Sequence, residues 1–203
     1  MAVTGRSGVG KTALVNHASC GDWVGSFPET LGTCVTRVSP PSSSSSSNDN
    51  AGDSTSSSSV ECYYDLWEVG GRYAAKFPYA VKAQLKAARV IVHVFSFADR
   101  ASLQSVPKEV ANFRTGHGED GGAPPAIVLV GTKRDCVSSC QLSVEEAKSV
   151  AAECNVPLVL IDSPPLEPDD HGGRIHNAGS DAAAMPPFLL FEALKAATTT
   201  NRG

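Results

Sequence analysis

The sequence has no cluster of basic residues, and only 19% of its 203 residues are charged. Its net charge at pH 7 is −4. A nucleic-acid or anionic-membrane surface needs a basic patch, so this charge balance argues against both kinds of partner. No apolar run approaches the roughly 18 residues of a membrane span, and the first residues lack the charged and then apolar layout of a signal peptide.

The six cysteines stand at irregular spacings and do not resemble a disulfide framework. In the absence of a secretory signal, we interpret them as reduced thiols of a cytosolic protein. Cys136 and Cys140 form a C-x3-C pair, but no second ligand pair lies near them, which argues against a zinc site. No cysteine follows Cys154 and residue 2 is alanine, so we expect no lipid anchor by prenylation or N-myristoylation.

Two segments have compositions unsuited to a core. Residues 39–59 contain 12 serines, and apart from the prolines their only apolar residue is Ala51. Such a tract buries too little surface to offset its ordering entropy, so it is predicted to be a disordered insertion. Residues 164–187 are rich in Pro, Gly, Asp and His and are predicted to form an irregular loop. Even without the serine tract the chain has the length of one ordinary domain, and we expect a single domain over residues 1–203.

Short apolar runs alternate with helical patterns along the rest of the chain. Three of the runs are continuous, as in strands that are buried on both faces. This alternation predicts an α/β fold with a mainly parallel, doubly wound sheet, whose chemistry lies at the carboxyl ends of the strands. The predicted strands are Ala2–Thr4, Val60–Trp67, Arg89–Phe95, Ala126–Val130 and Pro157–Ile161, and the predicted helices are Lys11–Ser19, Phe77–Ala88, Ala101–Arg114, Ser143–Cys154 and Phe188–Ala197.

Two of these elements carry further local information. Ser143 and Glu146 have the spacing of a capping box, which favours a helix that begins there. The first predicted strand has three residues, whereas a central strand usually has about five or six. Either the chain begins late at this strand, or the strand is unusually short.

Residues 5–12 read G-R-S-G-V-G-K-T and match the phosphate-binding pattern G-x-x-x-x-G-K-[ST] in full. The glycines allow successive backbone N–H groups to surround a phosphate at the start of a helix. Lys11 would bridge the β- and γ-phosphates, and the Thr12 hydroxyl would coordinate Mg²⁺. A glycine-rich turn without a ligand is the alternative, but the position between a strand and a helix favours phosphate binding. The predicted phosphate ligands are Ser7, Gly8, Val9, Gly10, Lys11 and Thr12.

The phosphate motif does not separate GTP from ATP, but residues 131–135, G-T-K-R-D, do. A carboxylate at Asp135 can accept hydrogen bonds from guanine N1–H and its 2-amino group, and adenine offers neither donor. Lys133 would lie against the base and ribose, with Thr132 beside it. A solvated polar loop is the commoner explanation of such a tetrapeptide alone. An ATP-dependent P-loop kinase or other NTPase is the rival function, and Asp135 argues against it.

Together these motifs resemble the Ras-like small GTPases over nearly all of the chain outside the two loops. The resemblance implies a P-loop NTPase, a Ras-like G domain with a mainly parallel six-stranded sheet flanked by helices, and bound GTP or GDP with Mg²⁺. It implies that Thr30 binds Mg²⁺ and senses the γ-phosphate. Glu68 would reach the Mg²⁺ shell in place of an aspartate, and the Gly71 amide would contact the γ-phosphate. Ser163 lies where the last guanine-contacting motif is expected, but the match there is poor.

Three positions depart from the family's pattern. Glu68 is one methylene longer than the usual aspartate, which changes the metal geometry. Thr132 stands where most members carry asparagine, as in the Rho branch, so binding should survive. Arg72 occupies the position of the water-orienting glutamine, and because arginine has no acceptor we expect slow or absent GTP hydrolysis. Arg72 could alternatively act as an arginine finger in cis, but its tether at this position argues against that role.

A finer resemblance lies in residues 66–71, L-W-E-V-G-G, and residues 95–102, F-S-F-A-D-R-A-S. These segments are similar to divergent Rab-like GTPases of cilia, in particular the ciliogenesis and planar polarity effector 2 subfamily. The resemblance implies a cytoplasmic or basal-body protein that binds effectors through its switch regions, among them Inturned, Fuzzy and a WD-repeat planar polarity effector. Its role would be to recruit intraflagellar transport machinery in cilium assembly. A GTP-locked structural subunit of such a complex is the alternative, which Arg72 favours.

Overall fold

The computed structural model describes residues 1–20, 27–39, 63–118 and 123–162. Their strands are β1 Ala2–Thr4, β2 Thr33–Val38, β3 Tyr64–Val69, β4 Val90–Ser96, β5 Ala126–Thr132 and β6 Leu158–Leu160. They form one sheet in the order β2-β3-β1-β4-β5-β6. β2 pairs antiparallel with β3, and every other neighbouring pair is parallel. The predicted α/β fold with a mainly parallel six-stranded sheet is therefore confirmed.

The helices of the described residues connect these strands. They are α1 Lys11–Cys20, α2 Gly71–Lys76, α3 Pro78–Lys86, α4 Arg100–Gln104, α5 Val106–Gly118 and α6 Val144–Glu153. Within the described ranges, no helix has both the length and the apolar character that a membrane crossing requires.

Two helical predictions need correction, and a proline is involved in each. Helix α2 was not predicted, and it is separated from α3 by Phe77, whose φ of −127° and ψ of 59° are not helical. Pro78 follows directly, and a residue before proline is driven out of the helical region. The single helix predicted over Ala101–Arg114 is two helices, α4 and α5. Pro107 has no backbone N–H, so it fits the first turn of a new helix but not the middle of a continuous one.

The core lies on both faces of the sheet. All seven residues of β4 are buried, and their side chains alternate between the two faces. Val92 and Val94 belong to the cluster that includes α1, while Ile91 and Phe95 belong to the cluster that includes α3, α5 and α6. Burial on both faces explains why the sequence of β4 is continuously apolar rather than alternating.

The local predictions for α6 and β1 agree with the structure. Glu146 N donates to Ser143 Oγ at 3.1 Å and Ser143 N donates to Glu146 Oε2 at 2.7 Å, which completes the capping box. Strand β1 has the predicted three residues and pairs with both β3 and β4. The serine tract beyond Ser39, the 164–187 loop and the predicted helix Phe188–Ala197 lie outside the described residues.

Candidate functional site

Residues 5–10 lead from the end of β1 to the start of α1 through a tight turn. Gly5 has a φ of +138°, which side-chain-bearing residues rarely adopt. A Cβ at this position would lie 2.2 Å from the carbonyl oxygen of Val94, so glycine is required there. Helix α1 then begins at Lys11, as the phosphate-binding motif predicts. The loop therefore places backbone N–H groups and a helix start at the carboxyl edge of the sheet.

Lys11 is buried inside this loop. Its exposed fraction is 5%, and its Nζ donates to the carbonyl oxygen of Arg6 at 2.9 Å. Burial lowers the pKa of Lys11, and the negative charges of Glu68 and Glu29 partly oppose that change. An ammonium group held in this position is suited to neutralise a bound anion.

Three predicted metal ligands meet beside Lys11. The Oγ1 of Thr12 donates to Glu68 Oε1 at 2.5 Å, the Oγ1 of Thr30 donates to the same oxygen at 2.9 Å, and the two hydroxyl oxygens lie 3.1 Å apart. Mg²⁺ prefers oxygen ligands in an octahedron at about 2.0–2.1 Å, which places adjacent ligands about 2.9 Å apart. The donor type and the two longer edges of this triangle therefore fit Mg²⁺, whereas the edge between Thr12 and Glu68 is a short hydrogen bond. The longer side chain of Glu68 reaches both threonines.

The E-V-G-G segment packs directly on the phosphate-binding loop. A Cβ at Gly71 would lie 2.2 Å from the backbone nitrogen of Ser7, so no larger residue fits there. The backbone nitrogen of Gly70 donates to Gly32 O at 2.8 Å. This segment is thus held between the phosphate-binding loop and residues 30–32, as a contact with a terminal phosphate would require.

The G-T-K-R-D loop is joined to the phosphate-binding loop by two side chains. Thr132 is buried and its Oγ1 lies 2.6 Å from Val9 O and 3.0 Å from Phe95 O. Lys133 Nζ donates to Gly8 O at 2.7 Å, and its φ is +60°. The two predicted nucleotide motifs, far apart in the sequence, therefore form one continuous surface.

Asp135 lies at the exposed end of that surface. The Sγ of Cys136 donates to its Oδ2 at 3.6 Å. Partial burial and then the Asp135 carboxylate raise the pKa of the Cys136 thiol, so the thiol stays protonated. Arg134 forms an ion pair with Asp162, two residues after β6, and the hydrogen bond between them raises the pKa of the guanidinium. Sequence reasoning missed this pair, which connects the loop to the point where the last guanine motif is predicted; Ser163 itself lies outside the described residues.

These segments enclose a cleft of about 440 Å³. Val9 and Thr132 are buried and do not line it, and Asp135 lies outside its wall. The predicted site residues that do line the cleft are Ser7, Gly8, Gly10, Lys11, Thr12, Thr30, Glu68, Gly71, Arg72 and Lys133.

Arg72 lies at the rim of the cleft, at the start of α2. Its Nη1 is 3.0 Å from Glu29 Oε2, and its side chain is 79% exposed. The other carboxylate oxygen of Glu29 accepts from Ser7 Oγ at 3.1 Å. Sequence reasoning did not single out Glu29, whose only signal is its place directly before Thr30.

Comparisons with known proteins agree with this fold and cleft. The model of the Ras family matches residues 1–162. Ciliogenesis and planar polarity effector 2 of Homo sapiens is 27% identical over 165 residues, which are 80% of this chain and 58% of that protein. The proteins of the same name from Mus musculus and Xenopus tropicalis are each 26% identical, over 164 and 161 residues. The aligned region spans a little over half the length of these relatives.

The family match covers most of the chain, including every strand of the described sheet. The relatives carry the name of the subfamily that residues 66–71 and 95–102 resemble. The resemblance predicted from the sequence is confirmed: this chain belongs to the Ras family.

Proposed function

We propose that this protein is a guanine-nucleotide switch that binds GTP or GDP together with Mg²⁺. The observation that carries the proposal is the convergence of Lys11, Thr12, Thr30 and Glu68 in one cleft beside the phosphate-binding loop. Guanine is assigned through Asp135, and membership of the Ras family supports that assignment. The rival function, an ATP-dependent kinase or NTPase, has neither support.

Thr12, Thr30 and Glu68 would hold the Mg²⁺ ion. When bound, the ion neutralises charge on the phosphates. The chain's own groups contribute the rest: Lys11 faces the phosphates, the backbone N–H groups of the loop surround them, and the Gly71 amide contacts the terminal one. A terminal phosphate that contacts both Thr30 and Gly71 would hold residues 29–32 and residues 68–72 together, and its loss would release them.

We infer that GTP hydrolysis is slow or absent. Glutamine at position 72 could accept a hydrogen bond from an attacking water, whereas the guanidinium of Arg72 has donors only. The ion pair with Glu29 also directs Arg72 towards a carboxylate at the rim of the cleft.

A first experiment identifies the nucleotide. Freshly purified protein is denatured, the released nucleotide is separated by chromatography, and hydrolysis of loaded GTP is then followed in a single turnover. Bound guanine nucleotide is expected in the full chain and strongly reduced in Lys11→Ala. The matched control is Lys148→Ala, an exposed lysine on α6 that should keep its nucleotide. Adenine nucleotide in the wild type, or no nucleotide with no binding on reloading, would overturn the proposal.

A GTP-locked structural subunit is the second candidate, and the Arg72–Glu29 contact favours it. It differs from the switch in one result of the same experiment. Bound GTP that persists for many hours supports the locked subunit, whereas bound GDP with measurable turnover supports the switch.

The proposed cellular role is cilium assembly, where the protein would recruit intraflagellar transport machinery in the cytoplasm or at the basal body. The name of the relatives, Ciliogenesis and planar polarity effector 2, supports this role. Exposed apolar side chains would contact effectors: Leu31 is 94% and Tyr79 is 88% exposed. Val35 and Trp67 form an exposed cross-strand pair on β2 and β3.

The proposed partners are Inturned, Fuzzy and a WD-repeat planar polarity effector, and purified proteins can test them. The full chain loaded with a non-hydrolysable GTP analogue should bind the partner complex more tightly than the GDP-loaded chain. Trp67→Ala on β3 should weaken this binding. Lys148→Ala should not, because this exposed lysine lies on α6, which precedes the strand at the other edge of the sheet. Equal or undetectable binding in both nucleotide states would contradict the partner assignment.

A further inference from the structure

Glu29 joins two segments that line the cleft, helix α2 and the phosphate-binding loop. Its Oε2 lies 3.0 Å from Arg72 Nη1 in α2, and its Oε1 accepts from Ser7 Oγ in the phosphate-binding loop at 3.1 Å. One carboxylate thus holds a different element with each oxygen. Both Glu29 and Arg72 line the cleft.

This contact is the outermost of a series that closes residues 29–32 onto residues 68–72. Deeper in the cleft, Thr30 Oγ1 donates to Glu68 Oε1 at 2.9 Å, and Gly70 N donates to Gly32 O at 2.8 Å. The Glu29 side chain is 30% exposed and that of Arg72 is 79% exposed, so this pair is the first to meet solvent. Any opening of residues 29–32 away from α2 must break it.

Charge alone would make Glu29 an unfavourable neighbour for phosphate. Its negative charge acts on Lys11, the predicted phosphate ligand. A carboxylate that faced the cleft without a partner would repel a nucleotide's phosphates. The positive charge of Arg72 offsets this repulsion, so the ion pair lets Glu29 lie in the cleft beside a bound phosphate.

We propose that Glu29 and Arg72 form a latch that closes residues 29–32 over the bound nucleotide and slows its release, with Ser7 as the anchor of the latch in the phosphate-binding loop. The inference rests on the proposed function, because it requires a guanine nucleotide in the cleft. It gives the arginine at the glutamine position a positioning role in place of a hydrolytic one.

Nucleotide release provides the test. The full chain is loaded with a fluorescent GDP analogue and Mg²⁺, and the dissociation rate is measured after addition of excess unlabelled GDP. Glu29→Gln and Arg72→Gln should each speed release about two- to fivefold, the range expected for an exposed ion pair. The double variant should be no faster than either single variant, and Glu29→Arg/Arg72→Glu should recover part of the slow release.

Glu29→Gln decides between the latch and simple repulsion. The latch predicts faster release in this variant, whereas repulsion of phosphate predicts slower release because a negative charge is removed. The matched control is Arg37→Gln, which breaks the exposed Arg37–Asp65 ion pair, 2.8 Å long, on β2 and β3 outside the cleft. Unchanged or slower release in Glu29→Gln, or an equal effect in Arg37→Gln, would overturn the latch.

Hydrogen exchange separates this inference from the proposed function. In the nucleotide-free chain, the amides of residues 29–32 should exchange faster in Glu29→Gln than in the wild type, and Arg37→Gln should leave them unchanged. If the wild type binds no guanine nucleotide on loading, the proposed function fails. If it binds but release and exchange are the same in Glu29→Gln, the latch alone fails.

Discussion

Thr132 donates its hydroxyl hydrogen to the carbonyl oxygen of Val9, 2.6 Å away, and so joins the end of β5 to the phosphate-binding loop. The same hydroxyl lies 3.0 Å from Phe95 O, at the end of β4. Neither Thr132 nor Val9 lines the cleft. The phosphate-binding loop is therefore held in position by the buried side chain of Thr132, which does not itself line the cleft.

Thr132→Val tests this support. The change keeps the shape of the side chain but leaves the Val9 carbonyl without its donor, which costs about 1–3 kcal/mol when the group is buried. We expect the free energy of unfolding to fall by that amount in chemical denaturation, with weaker nucleotide binding in calorimetry. The matched control is Thr115→Val on α5, an exposed threonine that also donates to a backbone oxygen, and it should change stability by less than about 0.5 kcal/mol. Equal stability of Thr132→Val and the wild type would contradict the assigned support.

Glu68→Gln tests the proposed Mg²⁺ site. The substitution keeps the size of the side chain but removes the charge beside Thr12 and Thr30. Affinity for GDP in the presence of Mg²⁺ should fall about tenfold, while affinity in EDTA should change little, because a neutral amide is a weaker ligand for Mg²⁺ than a carboxylate. Titration of GDP once with Mg²⁺ and once in EDTA measures both values, with Glu145→Gln, an exposed residue of α6, as the control. An equal loss with and without Mg²⁺ would argue against a metal role for Glu68.

Asp135→Asn tests base recognition. The carboxylate accepts two hydrogen bonds from guanine in our proposal, and an amide would oppose one donor with another. Preference for GDP over ADP should therefore drop by at least about a hundredfold in competition binding. Asp65→Asn on β3, which removes a similar exposed carboxylate outside the cleft, should retain the preference. An unchanged preference in Asp135→Asn would remove the guanine assignment.

His93 makes stability depend on pH. It is 1% exposed, and its Nδ1 has no hydrogen-bond partner within the described ranges, although Glu109 Oε2 lies 3.9 Å away. Burial, with a smaller contribution from Lys11, lowers the pKa of His93 to about 4. The histidine is therefore neutral at pH 7, and its contact with Glu109 is not an ion pair.

The unfolded chain takes up the His93 proton near pH 6.5, before the folded chain does. Between about pH 6.5 and pH 4 the unfolded state holds more protons, so stability falls as the pH is lowered. His93 alone should lower the free energy of unfolding by on the order of 3 kcal/mol over this range. Chemical denaturation at pH 6.5 and pH 4, with His93 present and with His93→Leu, measures the difference.

Glu109 is the titrating group to control in that experiment. Burial raises the pKa of Glu109, so the folded state holds its proton longer than the unfolded state does. The contribution of Glu109 to the free energy of unfolding therefore falls as the pH rises above 4.5, which is opposite in direction to the contribution of His93. The comparison is therefore made in a Glu109→Gln background. If the free energy of unfolding depends on pH in the same way with and without His93, the histidine takes up its proton as readily in the folded protein as in the unfolded chain, and the prediction is wrong.

Much of the fold could be predicted because it depends on local pattern. The continuous apolar runs of β4 and β5 predict strands buried on both faces, and the spacing of Ser143 and Glu146 predicts the start of α6. Helix α2 could not be predicted in this way. Within the described residues it is one of the shortest helices and none of its side chains is fully buried, and six residues are too few to show a repeating apolar stripe.

The sequence alone determined which residues carry the proposed chemistry, since a phosphate-binding loop and a T-K-x-D loop are defined by residue type and short spacing. Only the tertiary structure decided how they meet. Thr30 and Glu68 are distant in the chain, and the pairing of β2 with β3 brings their oxygens to 2.9 Å. Glu29 and Arg72 form an ion pair for the same reason. Contacts between residues far apart in sequence depend on how the sheet is assembled, and no local pattern encodes that arrangement.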